Sequence, residues 1–163
     1  MNNTHNIRKS FAAPFGKHPE LRAGIVPRWA IIKTSKTQSV AEHSYNVAMI
    51  TKIILSDFIT TPLDDNEIIV TALGHDFHEI YTGDIPTPAK MRKTDAEAMP
   101  IEKMIIKLAD CIESYAFIKR NCADSLAVKM WVMNELEIQI NILCGALGIN
   151  EHDIWPTISG MVL

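Results

Sequence analysis

The chain has 163 residues, enough for one domain with a sizeable core and too few for two ordinary domains. Hydrophobic residues make up 47% of the sequence and charged residues 21%, which is typical of a globular protein and excludes a disordered one. The formal net charge of −3 argues against broad binding to a nucleic-acid backbone, which needs a basic surface, but allows a local cluster of cations that binds phosphates.

The sequence predicts a cytoplasmic protein with free thiols. Cys111, Cys122 and Cys144 are odd in number and have no Cys-x-x-Cys spacing, so disulfides and a thiolate metal site are not expected. The N-terminus does not resemble a signal peptide, and no uncharged apolar run approaches the length that spans a bilayer.

The predicted fold is all-α in a single domain, because apolar residues recur at helical spacing and no stretch alternates like a strand. Residues 1–38 are the least regular part, since prolines and glycines interrupt them; only a short helix around residues 4–13 is predicted there. Longer helices are predicted at 39–58, from 64 or 65 down to Gly83, at 99–121, from a cap at Asp124 or Ser125 to about 145–148, and at 153–163. The stripe at residues 130–133 is interpreted as core packing, although an exposed part of that helix could form an oligomer face.

The most informative stretch is the run Gly74-His75-Asp76-Phe77-His78-Glu79. An imidazole and a carboxylate from adjacent positions can bind one divalent cation. Glu79 lies one turn further along a helix and is predicted to face a metal-bound water as a proton-transfer group. His78 is predicted to point away from this edge and to be exposed or in an outer layer.

Two more candidate ligands lie elsewhere in the sequence. His43 follows a helix start at Ser39, and Asp110 stands inside an apolar helical run, where a carboxylate is costly to bury unless it is paired or bound to a metal. Each has an ordinary alternative, as a histidine on a helix face or an acid at an amphipathic boundary. Together with His75 and Asp76 they balance the charge of a divalent cation and leave positions for water and substrate, which suits hydrolysis. Zinc, cobalt, manganese and iron all suit this set.

These motifs resemble those of a known family. His43, His75-Asp76 and Asp110 match the H…HD…D metal signature of the HD-domain phosphohydrolases. Arg28-Trp29, the helix start at residues 39–44, and H-D-x-x-E followed by T-G-D-I-P-T-P at residues 82–88 resemble the 5′-deoxynucleotidase branch. The resemblance spans about residues 27–120 and implies a single HD-domain helical bundle over residues 1–163. The chain is shorter than bacterial members, chiefly between Pro88 and Asp110, and in this compactness it resembles the phage dATP triphosphohydrolases found with 2-aminoadenine genomes.

The resemblance also implies roles for a substrate side. On the residues alone, Arg28 would be interpreted as a solvated loop residue and Trp29 as a core anchor; the family implies that Arg28 binds phosphate and Trp29 packs on the deoxyribose. Asp84 would accept from a 3′-hydroxyl or help move a proton, although a turn aspartate is the ordinary alternative. Ile31 and Pro88 are expected at the purine edge, with core and turn roles as their alternatives. The remaining candidates are a rigid surface against sugar and base made of Ile85, Pro86, Thr87 and Pro88, and cations for outer phosphates, with Mg²⁺ as a further possible partner of those phosphates. The cations are Lys33, Lys36, Lys90, Arg92 and Lys93, and a solvated face is an equal alternative for each of them.

The function implied is metal-dependent hydrolysis at the 5′ position of a 2′-deoxynucleotide, preferably of dATP to deoxyadenosine and triphosphate. Glu79 would orient or deprotonate water or protonate the leaving group, and Arg28 would stabilise charge on the phosphate. The alternatives are a 5′-deoxynucleotidase of monophosphates and a catalytically silent HD-like protein that binds nucleotides or a partner. We expect a small-molecule substrate, no nucleic-acid polymer, no membrane, a homo-oligomer (dimer or larger), and a bacterial or phage-infected cytosol.

Overall fold

The computed structural model describes residues 17–84, 96 and 98–162. Over these ranges the elements are a 3-10 helix Pro19–Ile25, α1 Val40–Phe58, α2 Asp65–Leu73, α3 Glu79–Thr82, α4 Ile101–Asn121, α5 Leu126–Leu147 and α6 Glu151–Val162. In this described part, extended pairing is limited to the isolated bridges Pro27–Ser39 and Thr34–Cys122. The all-α prediction is therefore confirmed, while the helix predicted at 4–13 lies outside the described residues.

Most helix ends lie where the capping signals predict them. The Ser39 hydroxyl accepts a hydrogen bond from the Glu42 backbone N–H at 3.1 Å, and Ser125 accepts from Val128 at 3.3 Å. Gly148 ends α5 with φ +70°, a left-handed conformation that a glycine adopts without strain. The start of α4 is two residues later than expected, because Pro100 lies at the N-cap position rather than inside the first turn.

The prediction of one helix from residue 64 or 65 to Gly83 is wrong. Helix α2 ends at Leu73, residues 74–78 form tight turns, and α3 resumes only at Glu79. One physical reason is that the His75 side chain binds the backbone: its Nδ1 lies 2.7 Å from the Ala72 carbonyl oxygen, which would otherwise accept the next helical hydrogen bond. His75 and Asp76 therefore project from a turn and not from a helix face.

Helix α4 lies at the centre of the packing, in contact with α1, α5 and α6. The fully buried side chains that form the core include Ile54, Ile105, Leu108, Ile112, Ile140, Leu143, Ile154 and Ile158. A separate face of α4 carries Asp110, Glu113 and Phe117 towards α1 and the segment before it. This face positions the candidate site.

The interpretation of residues 130–133 as core packing is wrong for two of them. Met130 is 62% exposed and Trp131 is 57% exposed, while Met133 packs against the core. Met130 and Trp131 therefore lie on the exposed side of α5.

All three cysteines are unpaired, as predicted, with Cys111 and Cys144 buried and Cys122 half-buried. Of the helices in the described ranges, none combines the length and the apolar character needed to cross a membrane.

Candidate metal and nucleotide site

Side chains from α1, the 74–78 turn and α4 converge on one small volume. His43 Nε2 lies 3.4 Å from an Asp76 carboxylate oxygen and 3.3 Å from an Asp110 oxygen, and His75 Nε2 lies 3.3 Å from Asp76. One ligand atom each from His43, His75 and Asp110 lie within 4.8 Å of one another. The structure thus brings together the four residues predicted as metal ligands.

The chemistry of this group fits a divalent cation. The Nε2 atoms of His43 and His75 are buried, and among the described residues neither makes a hydrogen bond. Because His75 Nδ1 donates to the Ala72 carbonyl, its Nε2 carries the lone pair that a metal needs. Imidazole nitrogens combined with carboxylate oxygens are a typical donor set for zinc and related transition metals.

The electrostatics of the group also favour a cation. Burial lowers the pKa of His43, but the carboxylates of Asp110, Asp76 and Glu113 raise it overall to about 10. Burial by itself would raise the pKa of Asp110. The Lys107 ammonium, 2.6 Å away, and His43 outweigh burial and hold the pKa of Asp110 well below its usual range. A divalent cation would replace the proton on His43 as the charge that balances these carboxylates.

Glu79 has the environment of a proton-transfer group. Its side chain is buried, and its Oε2 has no hydrogen-bond partner among the described residues. Burial, together with the negative charges of Asp76 and Asp84, raises the pKa of Glu79 to about 7. A carboxyl group with such a pKa can accept or release a proton near neutral pH. The role of Glu79 in turnover stays a prediction.

The structure brings Arg28, Trp29 and Asp84 together beside this group. Trp29 has φ +66°, a left-handed conformation that costs a non-glycine residue roughly 1–2 kcal/mol. It is held there because its backbone N–H donates to the Asp84 carboxylate at 2.6 Å and its ring stacks on Phe117 with centroids 5.9 Å apart. The Arg28 guanidinium lies 4.0 Å from Asp84 and 3.6 Å from Glu113. Strained residues of this kind are concentrated at functional sites.

The outer candidates are placed less decisively. Ile31 is 72% exposed, which excludes its core alternative. Lys33 is exposed, with its backbone N–H 3.3 Å from Asp124, and the Lys36 ammonium is 2.6 Å from Glu42. His78 is exposed, as predicted. The candidates outside the described residues, whose roles stay predictions, are Ile85, Pro86, Thr87, Pro88, Lys90, Arg92 and Lys93.

Sequence reasoning missed Lys107, Glu113 and Gln38. Lys107 binds Asp110, and its signal was the spacing of three residues on one helix. Glu113 accepts from His43 Nδ1 and from Gln38 Nε2, both at 2.6 Å; its signal was a second acid on the same face of an apolar helix. Burial raises the pKa of Glu113, but the hydrogen bond and charge of His43 lower it overall. Gln38 gave no signal, because a glutamine in a loop has no preferred partner.

A comparison with solved structures identifies the fold. The HD phosphohydrolase DatZ of cyanophage S-2L, solved bound to dA and one catalytic Zn²⁺ ion, superposes with a TM-score of 0.68. The superposition covers 88% of this chain and 96% of that protein, at 23% sequence identity. The chain therefore has the helical fold of an HD phosphohydrolase.

The family follows from the sequence comparison. The family model described as 5′-deoxynucleotidase YfbR-like matches residues 21–107, just over half of the chain. The chain therefore belongs to the YfbR-like 5′-deoxynucleotidase family. A dATP triphosphohydrolase of Salmonella phage PMBT28 is 40% identical over 78 residues, which are 44% of this chain and 40% of the relative. A 5′-deoxynucleotidase of Shewanella oneidensis is 38% identical over 80 residues, 47% of this chain and 41% of the relative. The match thus spans about two fifths of the length of these curated relatives.

Proposed function

We propose that this protein is a metal-dependent phosphohydrolase that acts on the 5′ phosphates of 2′-deoxynucleotides and cleaves dATP to deoxyadenosine and triphosphate. The observation that carries the proposal is the convergence of His43, His75, Asp76 and Asp110 beside Arg28 and its loop. A protein that only bound nucleotides would have no need of buried imidazole nitrogens without hydrogen-bond partners. The catalytically silent alternative is therefore disfavoured.

Each residue has a defined part in this reaction. A divalent cation held by the two histidines and two aspartates would supply Lewis acidity and a bound water of lowered pKa. Glu79, with its pKa near neutrality, orients the attacking water and holds or delivers a proton. Arg28 offers two parallel donors to a phosphate, and Lys107 offers a second cation beside Asp110.

The choice of dATP rests on two comparisons. The Salmonella phage relative is named a dATP triphosphohydrolase. The cyanophage neighbour was solved with dA, and the superposition spans nearly its whole length. The second candidate, a 5′-deoxynucleotidase of monophosphates, is favoured by the family and by the relatives from Shewanella oneidensis and Pasteurella multocida.

The test is release of phosphate and triphosphate from dATP, ATP, dAMP and the other deoxynucleotides, with and without a chelator. We expect triphosphate from dATP, loss of the activity with chelator, and recovery with zinc, cobalt or manganese. Preferential phosphate release from dAMP would select the 5′-deoxynucleotidase. If neither phosphate nor triphosphate were released with any metal, the catalytically silent binding protein would be the remaining hypothesis.

We also propose that the protein works in the cytoplasm on free nucleotides and forms a homo-oligomer. The exposed apolar side chains of Leu126, Met130 and Trp131 on α5 support an interface between copies. The net charge of −3 supports a small nucleotide over a polymer as substrate. Light scattering coupled to gel filtration measures the molar mass of the assembly. If this surface is the interface, Trp131→Glu should lower that mass towards the mass of a monomer.

A further inference from the structure

Glu113 connects the candidate metal ligand His43 with the loop that carries Trp29. One of its oxygens accepts from His43 Nδ1 at 2.6 Å, and the other accepts from Gln38 Nε2 at 2.6 Å. The Gln38 carbonyl oxygen in turn accepts from the indole N–H of Trp29 at 3.0 Å. We infer that Glu113 is a positioning residue that orients His43 for the metal and, through Gln38, orients Trp29 for the sugar. The statement about Trp29 and the sugar rests on the proposed function, whereas the statement about His43 rests on metal binding alone.

The hydrogen bonds of this network all lead towards Glu113: His43 donates to it directly, and Trp29 donates to Gln38, which donates to Glu113. A carboxylate can only accept, so His43 Nδ1 carries a proton, and Nε2, which faces Asp76 and Asp110, is the nitrogen left to bind a metal once its own proton is displaced. An indole N–H can only donate, so the Gln38 oxygen faces Trp29 and the Gln38 amide nitrogen faces Glu113. The arrangement is satisfied throughout only when residue 113 is a carboxylate.

Burial makes this requirement strict. Glu113 is 4% exposed, Gln38 is 1% exposed and His43 is fully buried, so water cannot replace a lost partner. Asn46 Nδ2 adds a donor to Glu113 at 3.1 Å, and Arg28 lies 3.6 Å from the oxygen that binds His43. The same carboxylate therefore contacts the candidate metal ligand His43, the candidate phosphate-binding Arg28, and Gln38, which binds Trp29.

The decisive variant is Glu113→Gln, which keeps the shape of the side chain. A glutamine has one acceptor oxygen, so it cannot accept from both His43 and Gln38. Either His43 takes the other tautomer, which places a proton on Nε2, or Gln38 turns and its amide faces the indole N–H. In metal-free protein titrated with zinc, we expect affinity to fall about 10- to 100-fold, the usual loss when the partner of a metal-binding histidine is replaced. We also expect a smaller ratio of dATP to ATP affinity.

Two matched variants separate this role from a merely structural one. Gln38→Met removes the contacts of Gln38 with Trp29, Arg28 and Glu113 but keeps the hydrogen bond between Glu113 and His43, so it should reduce the dATP to ATP ratio and leave zinc affinity close to wild type. Glu137→Gln makes the same substitution at a glutamate that accepts from Tyr115 at 2.8 Å elsewhere in the packing, and it should change neither quantity. Glu113→Asp keeps two acceptor oxygens and should recover part of the zinc affinity.

Zinc titration, the visible spectrum of the cobalt-substituted protein, nucleotide affinities and thermal melts would be measured for every variant. Wild-type zinc affinity and an unchanged nucleotide ratio in Glu113→Gln would overturn the inference, even if its melting temperature fell. An equal loss of zinc affinity in Gln38→Met would overturn the division into two links. A wild-type protein that binds metal but hydrolyses nothing would overturn only the proposed function, whereas one that binds no metal would overturn both.

Discussion

The candidate metal side and the candidate nucleotide side of the site are built in different ways. On the metal side, α1 carries His43 and α4 carries Asp110, and these two helices pack against each other in the core. On the nucleotide side, Trp29 lies in an irregular loop whose strained conformation depends on Asp84, 55 residues later in the chain. Helix packing fixes His43 and Asp110 on the first side, and a few long-range polar contacts fix the second. We therefore expect changes on the metal side to abolish turnover and changes on the nucleotide side to alter which substrate is used.

The largest effect is expected for Asp110→Asn. The substitution removes one negative charge from the metal group and leaves Lys107 beside a neutral amide, so metal affinity should fall by about 10-fold or more and hydrolysis should disappear. Metal content by mass spectrometry, turnover and the helical circular dichroism signal would be measured together. The exposed Asp57→Asn is the control for the chemical change itself. A fully active Asp110→Asn variant would remove Asp110 from the site.

Glu79→Gln should keep the metal and lose most of the turnover. General acid–base groups typically contribute about 10²- to 10⁴-fold in rate, and the turnover should fall by this amount. If Glu79 acts as a base, the wild-type rate rises as pH increases through its pKa of about 7; if it acts as an acid, the rate falls there. A bound cation would stabilise the carboxylate and so move this part of the pH–rate profile to below pH 7. The pH–rate profile of the variant should lack this pH dependence. If the variant lost its metal as well as its rate, Glu79 would be a metal ligand instead.

The convergence of the four candidate metal ligands could be predicted from sequence because its signals are local. A carboxylate inside an apolar helix and an adjacent His-Asp pair each carry an energetic cost that points to a partner. The error about the helix at residues 74–78 did not affect this result, since the ligands converge from a turn as well as from a helix. The H…HD…D family signature then assigned the histidines and aspartates to one site, which their spacing in the sequence could not do alone.

The nucleotide side could not be predicted to the same depth. The left-handed Trp29, its hydrogen bond to Asp84 and its stacking on Phe117 are properties of tertiary structure without a periodic pattern in the sequence. Gln38 is buried among its partners Arg28, Trp29 and Glu113, so its role appears only when these three residues are in place. The exposed Met130 and Trp131 show the converse, since an apolar stripe alone does not tell which face a long helix buries.

On the nucleotide side, Trp29→Ala should reduce sugar selection and leave metal binding intact. Trp29 is expected to pack where a 2′-hydroxyl would project, and burying that hydroxyl without a partner costs about 1–3 kcal/mol before any clash is added. The measurement is the ratio of kcat/KM for dATP and ATP. Trp29→Phe keeps a ring against Phe117 and should retain most of the preference. Equal rates of the wild-type protein on dATP and ATP would show that Trp29 does not select the sugar.

The smallest effect is expected for Ile31→Ala, which tests base selection at the outer edge of the nucleotide side. An apolar side chain at the purine edge offers no acceptor, so a 2-amino group would lose its hydrogen bonds to water and meet a wall; the preference for dATP over dGTP and 2-amino-dATP should fall by an amount at the lower end of about 1–3 kcal/mol. Because Ile31 is 72% exposed, its truncation should leave the melting temperature unchanged. Ile25→Ala, at an isoleucine that is 69% exposed at the end of the 3-10 helix, is the matched control and should leave base preference as it is. Hydrolysis of the three nucleotides at matched concentrations measures the effect. If the wild-type protein uses all three equally, the chain is a general deoxynucleotide phosphohydrolase and Ile31 is an ordinary exposed residue.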